Sequence, residues 1–417
     1  MTRVLLLLPT TSYRTGDFLR AAEKLGVAVT VASEEPSTME ALDPRGLLTL
    51  DFRDPAGCAR RVVEFAKATP ISAAVGVDED TVVAAAAISE ALGLPHNPLE
   101  AVSAARDKKR MRELLARGGA PSPSHRVFPL AGGPEGPARE VGYPCVLKPT
   151  FLSGSRGVIR ADGPEEFRAA WRRIEAILGS VDVLKRGSAD DELLVEDYVA
   201  GAEVALEGLL TRGELRTLAL FDKPDPLEGP FFEETIYVTP SRLPEAAQAA
   251  LREATALGAR ALGLRDGPIH AELRWNADGP WIVEIAARSI GGLCARTLSF
   301  GAGMSLEELV LRHALGREIP GPGTGVAAAG VMMIPIPRAG VFEEVRGLEA
   351  AREVPEIADV AITAHPGQRL VPLPEGSRYL GFIFSRGADP AAAEAALRAA
   401  HARLEFRITP EGIPPSS

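Results

Sequence analysis

The stretch Ile269–Gly292 constrains the fold most, because its sequence predicts an antiparallel β-hairpin. Polar and apolar side chains alternate over Ile269–Trp275, which is typical of a strand with one buried face. His270, Glu272 and Arg274 would share the polar face. Turn-forming residues, including an Asp-Gly pair, follow at positions 276–280, and a second strand is predicted from Trp281 to about Ile285.

Two glutamates of this hairpin are expected to face each other. If the hairpin is symmetric about Asp278, Trp275 lies opposite Trp281 and Glu272 lies opposite Glu284. Directly opposed side chains have Cβ atoms about 4.5–5.5 Å apart, and like charges there are destabilising. A divalent cation such as Mg²⁺, which commonly takes one or two carboxylates, would turn that repulsion into a site. The alternative is a solvated hairpin face on which the register keeps the charges apart.

Length, charge and cysteine usage exclude several classes of protein. The chain has 417 residues and a net charge of −10, which is long enough for roughly three domains. An acidic chain argues against nucleic-acid and anionic-membrane partners, since both need a basic surface. No apolar run reaches the length of a membrane span or of a signal peptide. Cys58, Cys145 and Cys294 are isolated, so they indicate neither a disulfide framework nor a zinc site and favour a reducing cytoplasm.

The first hundred residues alternate between strand and helix patterns. The apolar runs of strand length are Val4–Leu8, Val27–Ala32, Leu47–Asp51 and Ser72–Val75. The helical stretches are Gly16–Leu25, Pro55–Ala68 and Asp80–Leu92. This order predicts a parallel sheet covered by helices. The hydroxyl-rich loop Pro9–Gly16 follows the first strand, where open α/β sheets bind ligands; an ordinary hydrophilic loop is the alternative.

A charged helix is predicted next, over Leu99–Ala116. It contains the run Arg106–Arg110, and such a run usually forms a solvated helix face. The Gly- and Pro-rich sequence at 118–123 then predicts a domain boundary.

A lysine and a glycine-rich loop follow in the next segment. Cys145–Lys148 reads as a short strand, Ser153–Gly157 as a loop of small residues, and Val158-Ile159 as the returning strand. Successive backbone N–H groups in such a loop can surround anionic oxygens, and lysine supplies a compact charge for phosphate. No lysine follows a glycine directly, so the loop is not a Walker A motif. A plain mobile turn is the alternative.

Three glutamates lie on the strands that follow. Leu193–Val199 is a predicted strand that ends in polar groups, and Glu203–Leu210 alternates so that Glu203 and Glu207 share one face. Leu215–Phe221 would pair with it in an antiparallel sheet. Glu196, Glu203 and Glu207 could each be a solvated face residue. Their position, after a lysine–glycine loop and before paired carboxylates, makes them candidates for a site.

Taken together, these motifs resemble the ATP-grasp superfamily of carboxylate–amine ligases over nearly the whole chain. Within it the sequence is most similar to the L-amino-acid ligases, because of the phrase Glu284–Gly292, the helix Leu306–Ala314 and a β-rich segment at about Val326–Ile408. The implied fold combines α/β and α+β parts, with ATP held between two lobes. The implied domains are 1–98 (parallel sheet), 99–123 (helical connector), 124–199 (small lobe with a glycine-rich lid), 200–325 (large lobe with the metal site) and 326–417 (C-terminal module).

The resemblance also implies roles for individual residues. Lys108 and Lys148 would contact the nucleotide phosphates, and Arg288 would meet phosphate or a substrate carboxylate through its forked donors. Arg288 and Lys148 would thus be the catalytic residues. Glu272 and Glu284 would bind Mg²⁺, with Mn²⁺ as the alternative ion. The other nucleotide contacts would be Ser153, Gly154, Ser155 and Gly157 in the lid, Glu196, Asp197, Tyr198 and Val199 beside the adenine, and Glu203 on the ribose.

The implied reaction joins a carboxylate, expected to be an amino acid, to an amine through an acyl phosphate, with release of ADP and phosphate. Its partners would be small molecules, and a homodimer is left open. A biotin-carboxylase-like or formate-using purine-pathway ligase is one alternative, and a nucleotide-binding regulatory protein without turnover is another. One position departs from the superfamily pattern, since Ala286 stands where asparagine usually follows the second metal glutamate. The affinity for a second ion, and turnover itself, depend on that change.

Two further features concern the substrate side. The Pro-rich segment Asp222–Glu234 either shapes the amino-acid pocket or is a stiff connecting loop. His270 is expected to be a hydrogen-bonded structural histidine. The C-terminal module either lines a pocket or covers a sheet edge.

Overall fold

The N-terminal region is a parallel sheet covered by helices, as predicted. The computed structural model describes residues 2–185, 191–300, 303–319 and 327–410. The first elements are β1 (Arg3–Leu7), α1 (Thr15–Lys24), β2 (Ala28–Ser33), β3 (Leu47–Thr49), α2 (Pro55–Ala68), β4 (Ala73–Gly76) and α3 (Val82–Ala91). The four strands lie in the order β3-β2-β1-β4, and all pairs are parallel. Helix α2 begins where the sequence favours it, since Asp54 accepts a hydrogen bond from the Gly57 amide and Pro55 opens the helix.

The charged segment that follows forms two helices, so the prediction of one continuous helix is wrong. These are α4 (Leu99–Arg106) and α5 (Lys108–Arg117). The chain turns at Asp107, which is extended and whose carboxylate accepts hydrogen bonds from the amides of Lys109 and Arg110. An aspartate gains more as an N-cap than inside a helix, because the cap satisfies amides that otherwise lack partners. Lys108 is thereby placed at the first turn of α5.

The small lobe is a four-stranded antiparallel sheet with one long helix on it. Its elements are β5 (His125–Pro129), α6 (Pro137–Glu140), β6 (Cys145–Pro149), β7 (Ile159–Ala161), α7 (Pro164–Leu178), α8 (Val181–Lys185) and β8 (Glu192–Asp197), with strand order β5-β8-β6-β7. Phe167 and Trp171 of α7 are fully buried against this sheet. Lys148 and Glu196 therefore lie on neighbouring strands.

The large lobe and the C-terminal module share one eight-stranded antiparallel sheet. The large-lobe elements are β9 (Ala202–Thr211), β10 (Glu214–Lys223), β11 (Ile236–Thr239), α9 (Glu245–Leu262), β12 (Gly267–Asn276), β13 (Gly279–Ala286) and α10 (Leu306–Ala314). The module adds β14 (Ala328–Ile334), β15 (Gly340–Arg346), α11 (Leu348–Arg352), β16 (Ile357–Ile362), β17 (Arg369–Leu370), β18 (Gly381–Gly387), α12 (Pro390–His401) and β19 (Glu405–Thr409). The order β13-β12-β9-β10-β11-β14-β18-β16 runs across both parts, while β17-β15-β19 form a separate sheet. The boundary predicted near residue 326 therefore does not separate two sheets.

The hairpin of β12 and β13 has the predicted glutamate pairing with a different register at its turn. Glu272 lies opposite Glu284, as expected. Trp275 pairs with Pro280, however, and Trp281 pairs with Arg274, so the expected Trp275–Trp281 pair is wrong. A bulge between Glu272 and Leu273 shifts the register by one residue, which keeps the two glutamates opposed.

One apolar core holds the N-terminal sheet against the central sheet. Leu6 of β1, Leu309 of α10, Phe221 of β10 and Phe382 of β18 belong to the same buried cluster. Burial of apolar surface is the dominant favourable term in folding, so this cluster fixes the relative position of three parts of the chain. No helix in the described part of the chain combines the length and the apolar character that a bilayer crossing requires.

Candidate active site

A cavity of about 350 Å³ lies where the N-terminal sheet, both lobes and the C-terminal module meet. Of the predicted site residues it is lined by Lys108, Lys148, Ser153, Gly154, Ser155, Glu196, Asp197, Tyr198, Val199, Glu203, Glu272, Glu284 and Arg288. Gly157 is the exception, because it is not among the lining residues. The structure therefore brings together predicted site residues that are up to 180 positions apart in the sequence, from Lys108 to Arg288.

A basic cluster forms one end of the cavity. Lys148 Nζ lies 2.6 Å from Glu196, and Arg112 Nε lies 2.6 Å from the other oxygen of the same carboxylate. Lys108 Nζ donates to the carbonyl of Leu152 at 2.6 Å. Two cations thus hold the buried carboxylate of Glu196, and Lys108 adds a third positive charge near Lys148. We define Lys108, Arg112, Lys148 and Glu196 as the basic cluster. Arg112 was not predicted as a site residue. It lies four residues after Lys108, however, so both side chains are on one face of α5.

Electrostatics in the basic cluster leaves positive charge uncompensated. Burial raises the pKa of Glu196, but Arg112 and Lys148 outweigh it and hold the pKa at about 2. The pKa of Lys148 is lowered, because burial opposes its charge and repulsion from Arg112 and Lys108 adds to that effect, despite Glu196. An anion such as phosphate in this end of the cavity would stabilise the charged form of Lys148 and offset its repulsion by Arg112 and Lys108.

The glycine-rich loop at the mouth of this end needs its small residues. Gly154, Ser155 and Gly157 have φ angles of 64°, 55° and 71°, a region that most L-residues avoid. A Cβ on Gly157 would lie 2.8 Å from Pro149 Cγ. The Gly157 amide donates to the carbonyl of Pro374 at 2.9 Å, so the loop is tied to the C-terminal module.

The linker that follows β8 is held by its backbone. The amides of Asp197 and Tyr198 donate to the carbonyls of Ser124 at 3.0 Å and Pro144 at 3.1 Å. The Val199 carbonyl accepts from Arg274 at 2.7 Å. The linker therefore connects the two lobes in a fixed position along the cavity wall.

An acidic cluster lies across the cavity from the basic one. Oxygens of Glu203, Glu234 and Glu272 lie within 4.8 Å of one another. Lys223 Nζ lies 2.8 Å from Glu203 and 3.4 Å from Glu272, and it also pairs with Glu234. Arg274 holds the second oxygen of Glu203 at 2.9 Å. We define Glu203, Glu234, Glu272 and Lys223 as the acidic cluster.

The sequence reading missed two members of this cluster. Glu234 ends the Pro-rich segment, which thus shapes the cavity, and Lys223 ends β10 opposite Glu203. Burial and the neighbouring Glu272 raise the pKa of Glu234 to about 7. Burial also opposes the charge of Glu272, but Lys223 and His270 outweigh it and hold its pKa well below the usual value. One sequence signal could have predicted Lys223: Glu203 and Glu207 share one face of β9, so a neighbouring strand is expected to carry cations that pair with them.

The two predicted metal carboxylates differ in their surroundings. Glu272 is part of the acidic cluster, whereas Glu284 points toward the basic cluster and lies 3.9 Å from Lys108. Four carboxylates, three of them sharing one lysine, leave an excess of oxygen ligands beside the cavity. This donor set fits a hard divalent cation, which takes oxygen ligands and retains several waters.

His270 is a hydrogen-bonded structural residue, as expected. Its Nδ1 lies 3.2 Å from Glu207 and its Nε2 lies 3.6 Å from Glu272. Burial opposes its charge, but the two carboxylates raise its pKa to about 9. Ala286 pairs with His270 across the hairpin and is 1% exposed, so the imidazole stands beside the methyl group at the position where the superfamily usually has asparagine.

Arg288 reaches the cavity from the end of β13. Its Nε lies 2.7 Å from Glu79 of the N-terminal region, and its Nη1 donates to the carbonyl of Ser289 at 3.0 Å. Burial would lower its pKa, but Glu79 and Glu284 outweigh it and raise the pKa. Glu79 was not predicted, because it lies 209 residues away in sequence. The loop after β1 also lines the cavity, through Thr11–Arg14, which favours its interpretation as a ligand-facing loop.

The sequence matches three family models in the order expected from this geometry. They are described as ATP-grasp N-terminal domain (residues 19–96), ATP-grasp domain (141–297) and L-amino acid ligase C-terminal domain 2 (332–409). The chain belongs to the ATP-grasp superfamily. The predicted fold, a parallel-sheet domain followed by ATP-grasp lobes and a β-rich module, is thereby confirmed.

Individual relatives are amino-acid ligases. The solved L-amino acid ligase of Bacillus licheniformis superposes on this ATP-grasp chain with a TM-score of 0.83 and 27% identity, over 98% of this chain and 99% of that one. Alanine–anticapsin ligase of Bacillus subtilis is 27% identical over 235 residues, which are 53% of this chain and 49% of that protein. D-Alanine–D-alanine ligase of Aromatoleum aromaticum is 31% identical over 203 residues, 47% of this chain and 61% of that protein. The matched segments thus span about half to three-fifths of these two curated relatives.

ATP-grasp enzymes generally use ATP and a divalent metal, and the cavity has donors for both. The basic cluster and the glycine-rich loop offer cations and amides for phosphates. The acidic cluster and Glu284 offer oxygens for the metal.

Proposed function

We propose that the protein is an ATP-dependent ligase that joins the carboxylate of an amino acid to an amine. One observation carries the proposal: residues of the basic cluster, residues of the acidic cluster and Arg288 line one cavity. Phosphates and a substrate carboxylate need the positive charges of the basic cluster and Arg288, and a divalent cation needs the oxygens of the acidic cluster. ADP and phosphate are the expected products.

The reaction needs activation of the carboxylate. An amine cannot displace oxide from a carboxylate at neutral pH, so the carboxylate first attacks the γ-phosphate of ATP and ADP leaves. The amine then attacks the acyl phosphate, phosphate leaves, and the nitrogen loses a proton. Both steps build negative charge on oxygen, so positioned cations and amides supply most of the catalysis.

The chain's own residues divide this work. Lys108 and Lys148 hold the phosphates, and the loop Ser153–Gly157 closes over them and excludes water that would hydrolyse the acyl phosphate. Arg288 presents its forked donors to the substrate carboxylate or the transferred phosphate. Glu272 and Glu284 would hold Mg²⁺, which supplies charge neutralisation at the phosphate oxygens.

Nucleotide contacts complete the proposal. Glu196, Asp197, Tyr198 and Val199 would line the adenine, and Glu203 would meet the ribose. Both oxygens of Glu203 are held by Lys223 and Arg274, so its orientation is fixed before any ligand binds. The proposed domains are residues 1–98, 99–123, 124–199, 200–325 and 326–417.

Two finer points belong to the same proposal. Mg²⁺ is preferred and Mn²⁺ is the alternative, because both take carboxylate oxygens. The cysteines are free and buried, which agrees with a reducing cytoplasm as the compartment.

The test is an ADP-release screen over pooled amino acids and amines with ATP and Mg²⁺, followed by mass spectrometry of the products. We expect ADP and an amide that appear only with a carboxylate and the metal. AMP and pyrophosphate would indicate adenylation and contradict the proposal. ATP binding without ADP in any pool would indicate a regulatory protein, and ADP release stimulated by biotin and bicarbonate would indicate a carboxylase.

A further inference from the structure

The cavity has a second end whose chemistry differs from that of the basic cluster. The chain from β13 onward runs along its wall, from Glu284 beside Lys108, past Arg288, to Gly292. A Cβ on Gly292 would lie 3.0 Å from the ring of Phe382. Along this segment Arg288 lies between Glu284, which is near Lys108, and Gly292, which is near an aromatic ring.

Three rings form this aromatic end: Tyr13 comes from the loop after β1, and Tyr379 and Phe382 lie three residues apart at the start of β18. Tyr13 of the N-terminal loop meets Phe382 edge-on at 5.9 Å, and Tyr379 lies 6.3 Å from Phe382. Met333 and Cys294 line the same end and are almost fully buried. Aromatic and thioether groups offer apolar contact area and adaptable packing.

The charged groups next to the aromatic end have partners on the chain, although Arg14 Nε is buried without one. Arg14 donates to Ser289 Oγ at 2.9 Å and lies 3.2 Å from Glu307. Glu234 is held by Lys223. A charged ligand side chain would have to compete with Ser289, Glu307 or Lys223 for these groups, and burying a charge without a partner is costly.

We propose that the aromatic end binds a large apolar side chain, aromatic or thioether, of the amino acid whose carboxylate is activated. The inference rests on the proposed ligase function. A carboxylate held at Arg288 has the phosphates on one side and the aromatic end on the other. The side chain of the same substrate then extends toward Tyr13, Tyr379 and Phe382.

The test uses the full chain with ATP, Mg²⁺ and hydroxylamine as a common acceptor, which converts any acyl phosphate into a hydroxamate and phosphate. Alanine, leucine, methionine, phenylalanine, lysine and glutamate are compared one at a time. We expect kcat/KM for phenylalanine and methionine to exceed that for alanine by at least about tenfold. Highest activity with lysine, glutamate or alanine would overturn the inference but leave the ligase function standing. No ADP with any amino acid would instead contradict the ligase function.

A variant at the rim separates side-chain binding from folding. Tyr13 is 38% exposed, so Tyr13→Ala is expected to fold. It should lower kcat/KM for phenylalanine by about three- to tenfold, since one aromatic contact is lost. The value for alanine should fall less, because its methyl group makes little contact with the ring. Leu42→Ala, at an exposed leucine outside the cavity wall, is the matched control.

Two outcomes of that comparison would overturn the proposal. Equal losses for phenylalanine and alanine would mean that Tyr13 supports the loop rather than the side chain. No loss with either substrate would place the side chain elsewhere. Phe382→Leu is a second variant, because it removes the ring but keeps an apolar core residue. It should raise the ratio of kcat/KM for leucine to kcat/KM for phenylalanine.

Discussion

Lys148 and Lys223 are both buried at strand ends beside the same cavity, yet their pKa values shift in opposite directions. The pKa of Lys148 is lowered, chiefly by burial, with one carboxylate to offset it. The pKa of Lys223 is raised well above its usual value, because Glu203, Glu234 and Glu272 outweigh the same burial. The number of opposite charges within reach decides the sign, and depth of burial does not.

This difference indicates what each end of the cavity can receive. Around Lys148 the chain supplies three cations and one carboxylate, so an added anion improves the balance. Around Lys223 lie the carboxylates of Glu203, Glu234 and Glu272. Arg274 also pairs with Glu203, and His270 lies beside Glu272. The raised pKa of Glu234 indicates that an added cation would still improve the balance. The two lysines have different tasks for this reason: Lys148 is available to a phosphate, and Lys223 holds carboxylates in place.

The largest expected effect is the stability lost when Lys223 is removed. Lys223→Met leaves three buried carboxylates without their shared cation, which should lower the free energy of unfolding by about 3–5 kcal/mol. Lys148→Met should lower it less, because Glu196 keeps Arg112. Urea denaturation without divalent ions measures both. Mg²⁺ or Mn²⁺ should restore part of the loss in Lys223→Met alone; equal losses in the two variants would contradict the comparison.

A pH titration examines the basic cluster by itself. The pKa of Glu196 falls from 4.5 to about 2 on folding, which corresponds to roughly 3 kcal/mol at neutral pH. Because the folded carboxylate binds its proton less readily than the unfolded one, this contribution is complete above pH 4.5 and is lost as the pH falls through 2. Glu196→Gln should be less stable at pH 7 and vary less with pH in that window. The same slope in both proteins would assign the acid sensitivity to other groups.

These two expectations rest on contacts that the sequence does not reveal. The N-terminal strands, the paired glutamates and the shared face of His270 and Arg274 follow from local periodicity, which a sequence displays directly. Arg112 meets Glu196 across 84 residues and Arg288 meets Glu79 across 209. Such pairs depend on how whole elements pack, so the cavity's residues could be named from motifs while most of their partners could not.

Nucleotide affinity sharpens the functional side of the comparison. Lys148→Met should weaken ATP binding by about 1.5–3 kcal/mol, because a charge-assisted contact with phosphate is lost. Isothermal titration calorimetry measures this. Lys109→Met is the matched control, since Lys109 is a partly exposed lysine on the same helix as Lys108 that pairs with Glu192 at 2.6 Å. Unchanged affinity in a folded Lys148→Met protein would remove Lys148 from the site.

The metal requirement should depend on Glu284 with little effect on the fold. Its contact with Lys108 is 3.9 Å long and partly exposed, so Glu284→Gln should leave the stability of the ligand-free protein unchanged. Turnover should fall about ten- to a hundredfold and the Mg²⁺ concentration at half-maximal rate should rise. Glu192→Gln, at a surface pair, controls for loss of a carboxylate. A loss of stability without a change in the Mg²⁺ requirement would mark Glu284 as structural.

The smallest expected effect concerns the lid over the basic cluster. Arg173 holds Glu375 through two bonds, of 2.5 and 3.0 Å, next to Pro374, which accepts from the Gly157 amide. Both side chains are about two-fifths exposed, so the pair contributes about 0.2–1 kcal/mol. Glu375→Gln should therefore increase amide hydrogen exchange at 153–157 by a few-fold at most, and added salt should reduce the difference because it screens exposed charges. Glu165→Gln removes an exposed partner of Arg168 on the same helix and should not change exchange in the loop. If both variants behave alike, the Arg173–Glu375 pair does not restrain the lid, and the hydrogen bond from the Gly157 amide to Pro374 is what ties the loop to the module.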